Sequence, residues 1–284
     1  VSTSGFGPKG LRKHRPVTDL VAQSFSGFMY LKKGNDGTPH LIGITVMDVI
    51  TGIYAYQAIA TALYHRAMTG RGKHIETSLM EAAGAFQTQK IIEYVKQDGN
   101  VHVLGAPAGS FKTTDGTMNI NARETKKFVA LCGLIERPDL VTDPRFVDWD
   151  SRMENAQELF AILAPYFAKK SNAYWITELD KIDIIHNPTF TYGDFLESPQ
   201  TRASGFINWV DHEGIGKIPM PIIPGLPPFE PGPYAHAPHV GEHTEVLLAE
   251  FDYDKDKIAA MLNSGAAVQY DPDPQMICHW GSSR

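Results

Sequence analysis

Apolar residues at Val49, Ile53, Tyr56, Ile59, Ala60 and Leu63 recur at helical spacing, which predicts an amphipathic helix over about residues 48–68, closed by Gly70. The alternating run at 74–79 predicts a short strand, feeding a second helix that ends before the turn signal Asp98-Gly99-Asn100. Helix, strand and helix in succession imply a parallel α/β layer. Residues 1–7, VSTSGFG, read as the end of a buried strand entering a glycine turn, so the chain is expected to begin partway through a fold. The run 19–31 reads as helix. Further on, 110–122 reads as a hairpin around Asp115-Gly116 and 126–135 as helix, with helical pieces at 175–184 and 195–205 separated by an Asn187-Pro188 break. From 201 the chain is rich in proline and glycine yet carries Ile222, Ile223, Leu226 and Phe229. That mixture suits an extended strap laid over another surface, before a last helix at 244–251.

Composition narrows the class without naming a chemistry. The 284 residues are 43% hydrophobic, enough for a real core in one or two domains, and the formal net charge of -6 argues against a general nucleic-acid binder. Cys132 and Cys278 stand far apart in no metal or redox spacing, so a reduced, intracellular setting is expected. No run is read as a membrane span and no leader is read at the N-terminus, which makes the cytoplasm the default expected location, with an organelle matrix as the alternative.

Asp48 is the candidate chemical side chain. An aspartate at a helix mouth has two readings: a cap that accepts the first free N–H groups, or a reactive carboxylate favoured there by the helix dipole. Gly43 and Thr45 just before it, and Gly52 one turn inside, would let a substrate approach closely. The basic cluster Lys9, Arg12, Lys13, His14 and Arg15 suits either phosphate oxygens or a solvated loop. Glu76 and Glu81 are read as a strand flank and a helix-opening residue rather than a carboxylate pair. His239, Glu242 and His243 fit the H-x-x-E-H spacing of zinc peptidases, but Pro238 and Gly241 break the helix that motif needs. They are read as a turn, and no metal is expected.

The segments SGFGPKG at 4–10, RPVTDLVAQSFSG at 15–27, MDVITGIYA at 47–55 and TGRGKHIETSLMEA at 69–82 resemble, in order and spacing, the class III CoA-transferase family. That family also contains formyl-CoA transferases, carnitine-related CoA-transferases and alpha-methylacyl-CoA racemases. The resemblance continues through SFKTTDG at 110–116, DPRF at 143–146 and GEHTEVLLAEF at 241–251. It implies an α/β fold with a partial Rossmann-like large domain (1–104), a small α+β domain (105–200), a C-terminal strap and helix (201–284), and an interlocked homodimer. In the family, the first half of the large domain and many CoA contacts precede the matching segment.

The resemblance makes Asp48 the nucleophile that attacks an acyl-CoA thioester. The candidate CoA-binding or substrate-binding residues are Arg15, Asp19, Gln23, Gly105 and Gly109, with coenzyme A as substrate and no further cofactor expected. The position matching Asp19 is acidic in transferases and near the nucleophile. The position matching Thr18 is, in racemases, a histidine that exchanges a proton; threonine offers no basic nitrogen, which favours transferase. Formyl-CoA transferases carry a tetraglycine lid where this chain has LGAPAGS at 104–110, which argues against oxalate or formate specificity but leaves a small lid at Gly105 and Gly109. Oxyanion donors are expected from the backbone around Val49 or from that loop. The alternatives are an acyl-CoA racemase of the same fold and a catalytically silent chain lacking its CoA-binding half.

Overall fold

A computed structural model describes residues 1–31, 37–99, 101, 105–212, 216–227 and 238–271. The chain divides into two compact units, Val1–Pro188 and Thr189–Arg284. Cys278, Leu104 of the glycine-containing loop and the middle of the proline-rich strap lie outside the described residues.

The first unit opens with β1 (Ser2–Ser4). Helices α1 (Asp19–Phe25) and α2 (Val46–Thr69) follow, and then β2 (Glu76–Ser78), which pairs in parallel with β1 so that Thr3 stands opposite Thr77. Gly70, at φ 69°, closes α2 by donating its N–H to the Arg66 carbonyl at 2.8 Å, the left-handed stop its sequence position predicts. Helices α3 (Leu79–Phe86) and α4 (Thr88–Lys96) complete this part. Glu81 sits in the first turn of α3, where its carboxylate accepts a 3.0 Å bond from the Ser78 hydroxyl, while Glu76 is exposed on β2.

The apolar stripe expected to seat α2 is not the face it buries. Met47, Ile50 and Thr51 are buried and Tyr54 packs beside them, against Ala22 from α1 and Ala82 and Ala83 from α3. Val49, Ile53, Tyr56 and Leu63 remain exposed. The helix carries apolar residues on two sides, and spacing alone does not say which side meets the core. The expectation that nothing approaches a membrane span also needs correction. Over 24 residues, with a mean hydropathy of 1.3 in its most apolar stretch, α2 is long and apolar enough to cross a bilayer by those two measures.

A second core in the same unit lies between a sheet and helices. Strands β3 (Ala108–Lys112), β4 (Thr117–Asn121) and β5 (Ile185–Pro188) form an antiparallel sheet in that order. The hairpin at Asp115-Gly116 forms as predicted, with Phe111 opposite Met118. Asn187 and Pro188 separate two helices as expected and also end β5 on the sheet, opposite Asn119 and Met118. Helices α5 (Thr125–Leu134), α6 (Trp149–Glu154), α7 (Ala156–Phe167) and α8 (Asn172–Lys181) bury Phe128, Leu131, Leu159, Leu163 and Leu179 against this sheet's side of the core. Arg152 is fully buried there. Its guanidinium donates to the carbonyls of Ala106, Phe146 and Arg123 and to the Thr125 hydroxyl, and burial pushes its pKa down from the ordinary arginine value.

The second unit contains α9 (Tyr192–Glu197), α10 (Pro199–Ser204), the antiparallel pair β6 (Ile207–His212) and β7 (Gly216–Pro221), α11 (Thr244–Glu250) and α12 (Lys255–Asn263). The beginning of the expected strap is thus a hairpin, with Pro219 opposite Trp209 on a strand that has no third neighbour among the described residues, the position a donor-less residue tolerates. The H-x-x-E-H segment is a turn. Glu242 accepts the His239 N–H at 2.7 Å, and the His239 ring stacks on Tyr270 with centroids 4.2 Å apart. Among the described residues no His, Cys, Asp and Glu side chains cluster in a group able to hold a metal ion.

Candidate active site

Asp48 occupies the first turn of α2 and is exposed. It does not cap that helix. The cap comes from α1, where Asp19 Oδ2 accepts the N–H of Met47 at 2.6 Å and of Asp48 at 3.1 Å. Thr45, the residue before α2, makes no side-chain cap bond. Among the described residues no hydrogen bond engages the Asp48 carboxylate.

Asp19 is held in turn by Gln23, whose Nε2 donates to Asp19 Oδ1 at 2.5 Å. The same amide grips the loop ahead of α2: Nε2 donates to the Ile42 and Ile44 carbonyls at 3.2 and 3.3 Å, and Oε1 accepts the Ile42 N–H at 3.1 Å. Asp19 is 7% exposed and Gln23 0%. These two side chains were expected to face the ligand. Gln23 instead faces the protein with both ends of its amide engaged, and Asp19 uses both carboxylate oxygens inside the fold while still lining the cavity below. A buried polar side chain with this many partners is a structural clamp.

Asp48, Asp19, Thr18, Gly43 and Thr45 line one cavity of about 410 Å³. A larger apolar cavity, about 620 Å³, lies between Tyr30, Ile91 and Tyr94. It holds no poised nucleophile: Lys90 pairs with Glu93 at 2.7 Å, and the Gln87 amide donates to the Ser26 and Ala83 carbonyls. Size alone does not locate chemistry, and the candidate site is the smaller cavity, where a free carboxylate meets open space.

The expected oxyanion donors are not where the sequence placed them. The Val49 N–H bonds the Thr45 carbonyl at 3.0 Å, and the Val46 N–H bonds the Ile44 carbonyl at 2.8 Å. The donors unengaged among the described residues and lining this cavity include the backbone N–H groups of Gly43 and Thr45 and of Leu20 in the first turn of α1, and the hydroxyls of Thr18 and Thr45. Sequence reasoning marked Gly43 and Thr45 as small but missed them as donors, because which N–H groups remain free depends on where Asp19 reaches.

Gly105 and Gly109, proposed as a small lid, do not line this cavity. Gly109 belongs to β3, opposite Ile120, and a Cβ there would meet the Phe160 ring at 2.8 Å. Gly105 is buried, with its Cα face 2.9 Å from the Arg123 side chain for an added Cβ. Both glycines permit close packing. Arg15 and its basic neighbours are exposed and do not line the cavity. Arg12 instead lies over the Phe25 ring at 4.8 Å and the Phe6 ring at 5.6 Å, a cation–π contact that ties the basic loop to α1.

An α/β fold with a free aspartate at the mouth of a long helix can be set beside known proteins. The model of CoA-transferase family III matches residues 1–244, and the chain belongs to that family. It is 30% identical over 279 residues to succinyl-CoA:glutarate CoA-transferase of Mus musculus, covering 95% of this chain and 64% of that protein. It is 32% identical to acetyl-CoA:oxalate CoA-transferase of Acetobacter aceti, covering 88% of this chain and 65% of that one. Among solved structures, a CAIB/BAIF family protein from Brucella suis superimposes with a TM-score of 0.70 at 28% identity, covering 88% of this chain and 67% of the other. The chain spans just under two thirds of the length of the curated relatives it matches.

Proposed function

We propose that this protein transfers coenzyme A between an acyl-CoA thioester and a free carboxylic acid, with Asp48 as the covalent nucleophile. The observation that carries the reading is the unengaged Asp48 carboxylate on a cavity of about 410 Å³, its helix capped by another residue. A carboxylate needs no base to activate it at neutral pH, which suits a site with no histidine among its lining residues.

An Asp48 oxygen attacks the thioester carbonyl, the C–S bond breaks, and a mixed anhydride and CoA thiolate result. The thiolate attacks the aspartyl carbonyl, releasing the first acid and leaving an aspartyl-CoA thioester. The acceptor carboxylate attacks that thioester, freeing the thiolate once more to form a new anhydride. The thiolate then takes the acceptor acyl group and regenerates Asp48. Each tetrahedral intermediate carries an oxyanion, and the Gly43 and Thr45 N–H groups with the Thr18 and Thr45 hydroxyls are among the donors available at this cavity. Relatives named for transfer among succinyl, glutaryl, acetyl and oxalyl groups support small acids as the substrate class.

Incubating the intact protein with an acyl-CoA and mapping adducts by mass spectrometry tests the reading. A CoA adduct on the peptide carrying Asp48 is expected, and its absence across short-chain and dicarboxylic acyl-CoAs would refute it. The exposed stripe of Val49, Ile53, Tyr56 and Leu63 supports a homodimeric assembly, which a monomer mass by light scattering would exclude.

A further inference from the structure

The same four-residue pattern occurs at the start of two helices in this chain, and the two behave differently. Thr191-Tyr192-Gly193-Asp194 opens α9, and Thr45-Val46-Met47-Asp48 opens α2. At α9 the pattern closes into a reciprocal capping box: the Asp194 N–H donates to Thr191 Oγ1 at 3.1 Å, and Asp194 Oδ2 accepts the Thr191 N–H at 2.8 Å. Hydrogen bonds from the Thr191 hydroxyl and N–H, both to Oδ2, hold the Asp194 carboxyl below its ordinary range.

At α2 neither bond of the box forms. The Asp48 N–H goes to Asp19, the Thr45 hydroxyl makes no cap bond, and the Thr45 N–H is unengaged among the described residues. The backbone explains why. Thr191 is extended at ψ 170°, the geometry of a closed box, whereas Thr45 sits at ψ 60°. Gln23 holds both sides of Ile42 and the carbonyl of Ile44, and that grip fixes the chain just ahead of Thr45.

We propose that Asp19 and Gln23 are positioning residues that hold the capping box of α2 open, so that Asp48 is kept out of its own helix cap and available for reaction. Asp19 supplies the cap that the box would have supplied, and Gln23 locks Asp19 and the loop in the open geometry. The inference rests on the transferase reading for its purpose, but not for its structural content.

Carbodiimide-driven coupling of an amine to carboxylates, read residue by residue by peptide mass spectrometry on the intact protein, tests the structural content. In the unmodified sequence Asp48 is expected to label more readily than Asp194, whose Oδ2 its own capping box engages and which serves as the internal reference. In Asp19→Ala and in Gln23→Met the box closes, and Asp48 labelling falls about five-fold, the population change one capping interaction supports. Thr45→Val in the Asp19→Ala background removes the hydroxyl half of the box and restores labelling, which a purely structural loss would not do. Should Asp19→Ala fail to fold, Gln23→Met carries the comparison. Unchanged Asp48 labelling in folded Gln23→Met and Asp19 variants would overturn the proposal. The functional arm measures adduct formation: kcat falls in step with labelling while KM holds. A fall in labelling with kcat unchanged would overturn the assigned purpose. If Asp48 of the unmodified sequence forms no CoA adduct, the transferase reading fails, and the labelling series still decides whether Asp19 and Gln23 hold the box open.

Discussion

Replacing Asp48 with alanine separates chemistry from stability. The backbone bonds at this position belong to the Asp48 N–H, which alanine keeps, and Asp19 continues to accept it. The lost carboxylate makes no hydrogen bond among the described residues and is exposed. Its attraction to the positive end of α2 is worth about 0.3 to 1 kcal/mol. Alanine recovers up to about 0.7 kcal/mol through its higher helix propensity. The two nearly cancel, so Asp48→Ala is expected to change unfolding free energy by less than about 1 kcal/mol while abolishing CoA adduct formation. Asp19→Ala is the contrasting case. It removes the acceptor of the buried Met47 N–H and one partner of the buried Gln23 amide, at a cost of about 2 to 3 kcal/mol. Urea unfolding read by circular dichroism gives both numbers. Destabilisation of Asp48→Ala by more than about 2 kcal/mol would mean that Asp48 is a structural cap after all, and retained adduct formation would remove it from the chemistry.

Three further outcomes are expected. Arg152→Met leaves the Ala106, Phe146 and Arg123 carbonyls without their buried donor and should destabilise the protein by about 3 to 5 kcal/mol in urea unfolding. The Arg145 guanidinium holds the Asp143 carboxyl down at about 2, so the stability it contributes is present above the ordinary aspartate range and is lost as pH falls toward 2; Asp143→Asn should flatten stability against pH in that acid window. Deuterium should not enter C2 of a 2-methylacyl-CoA in heavy water at a rate comparable to CoA transfer, because the cavity pairs Asp48 with Thr18 and offers no second base of the histidine kind.

Much of the local structure was legible because it depends on neighbours in sequence. The stop of α2 at Gly70, the hairpin at Asp115-Gly116, the helix over α5 and the turn at His239 to His243 follow from glycine conformation, turn chemistry and periodicity alone. Asp48 was legible as a residue of interest for the same reason, by its place at a helix mouth between small residues. The threonine and aspartate spacing at 45–48 and 191–194 was also readable and would have suggested two identical caps.

What spacing does not carry is which of several possible partners a group finds across the fold. A helix apolar on two sides buries the one that meets Ala22, Ala82 and Ala83, and that choice belongs to α1 and α3 rather than to α2. Gly109 reads as a mobile loop until β4 pairs with it and Phe160 packs on it. Asp19 and Gln23 read as ligand contacts until their hydrogen bonds, reaching as far as 29 residues along the chain, show them clamping the loop before α2. The sequence by itself determined where helices start, stop and turn, and that a carboxylate stands at the mouth of α2. Only the tertiary structure decided that this carboxylate is unengaged among the described residues, because a helix N-terminus must find its acceptors somewhere, and here they come from Asp19 on another helix.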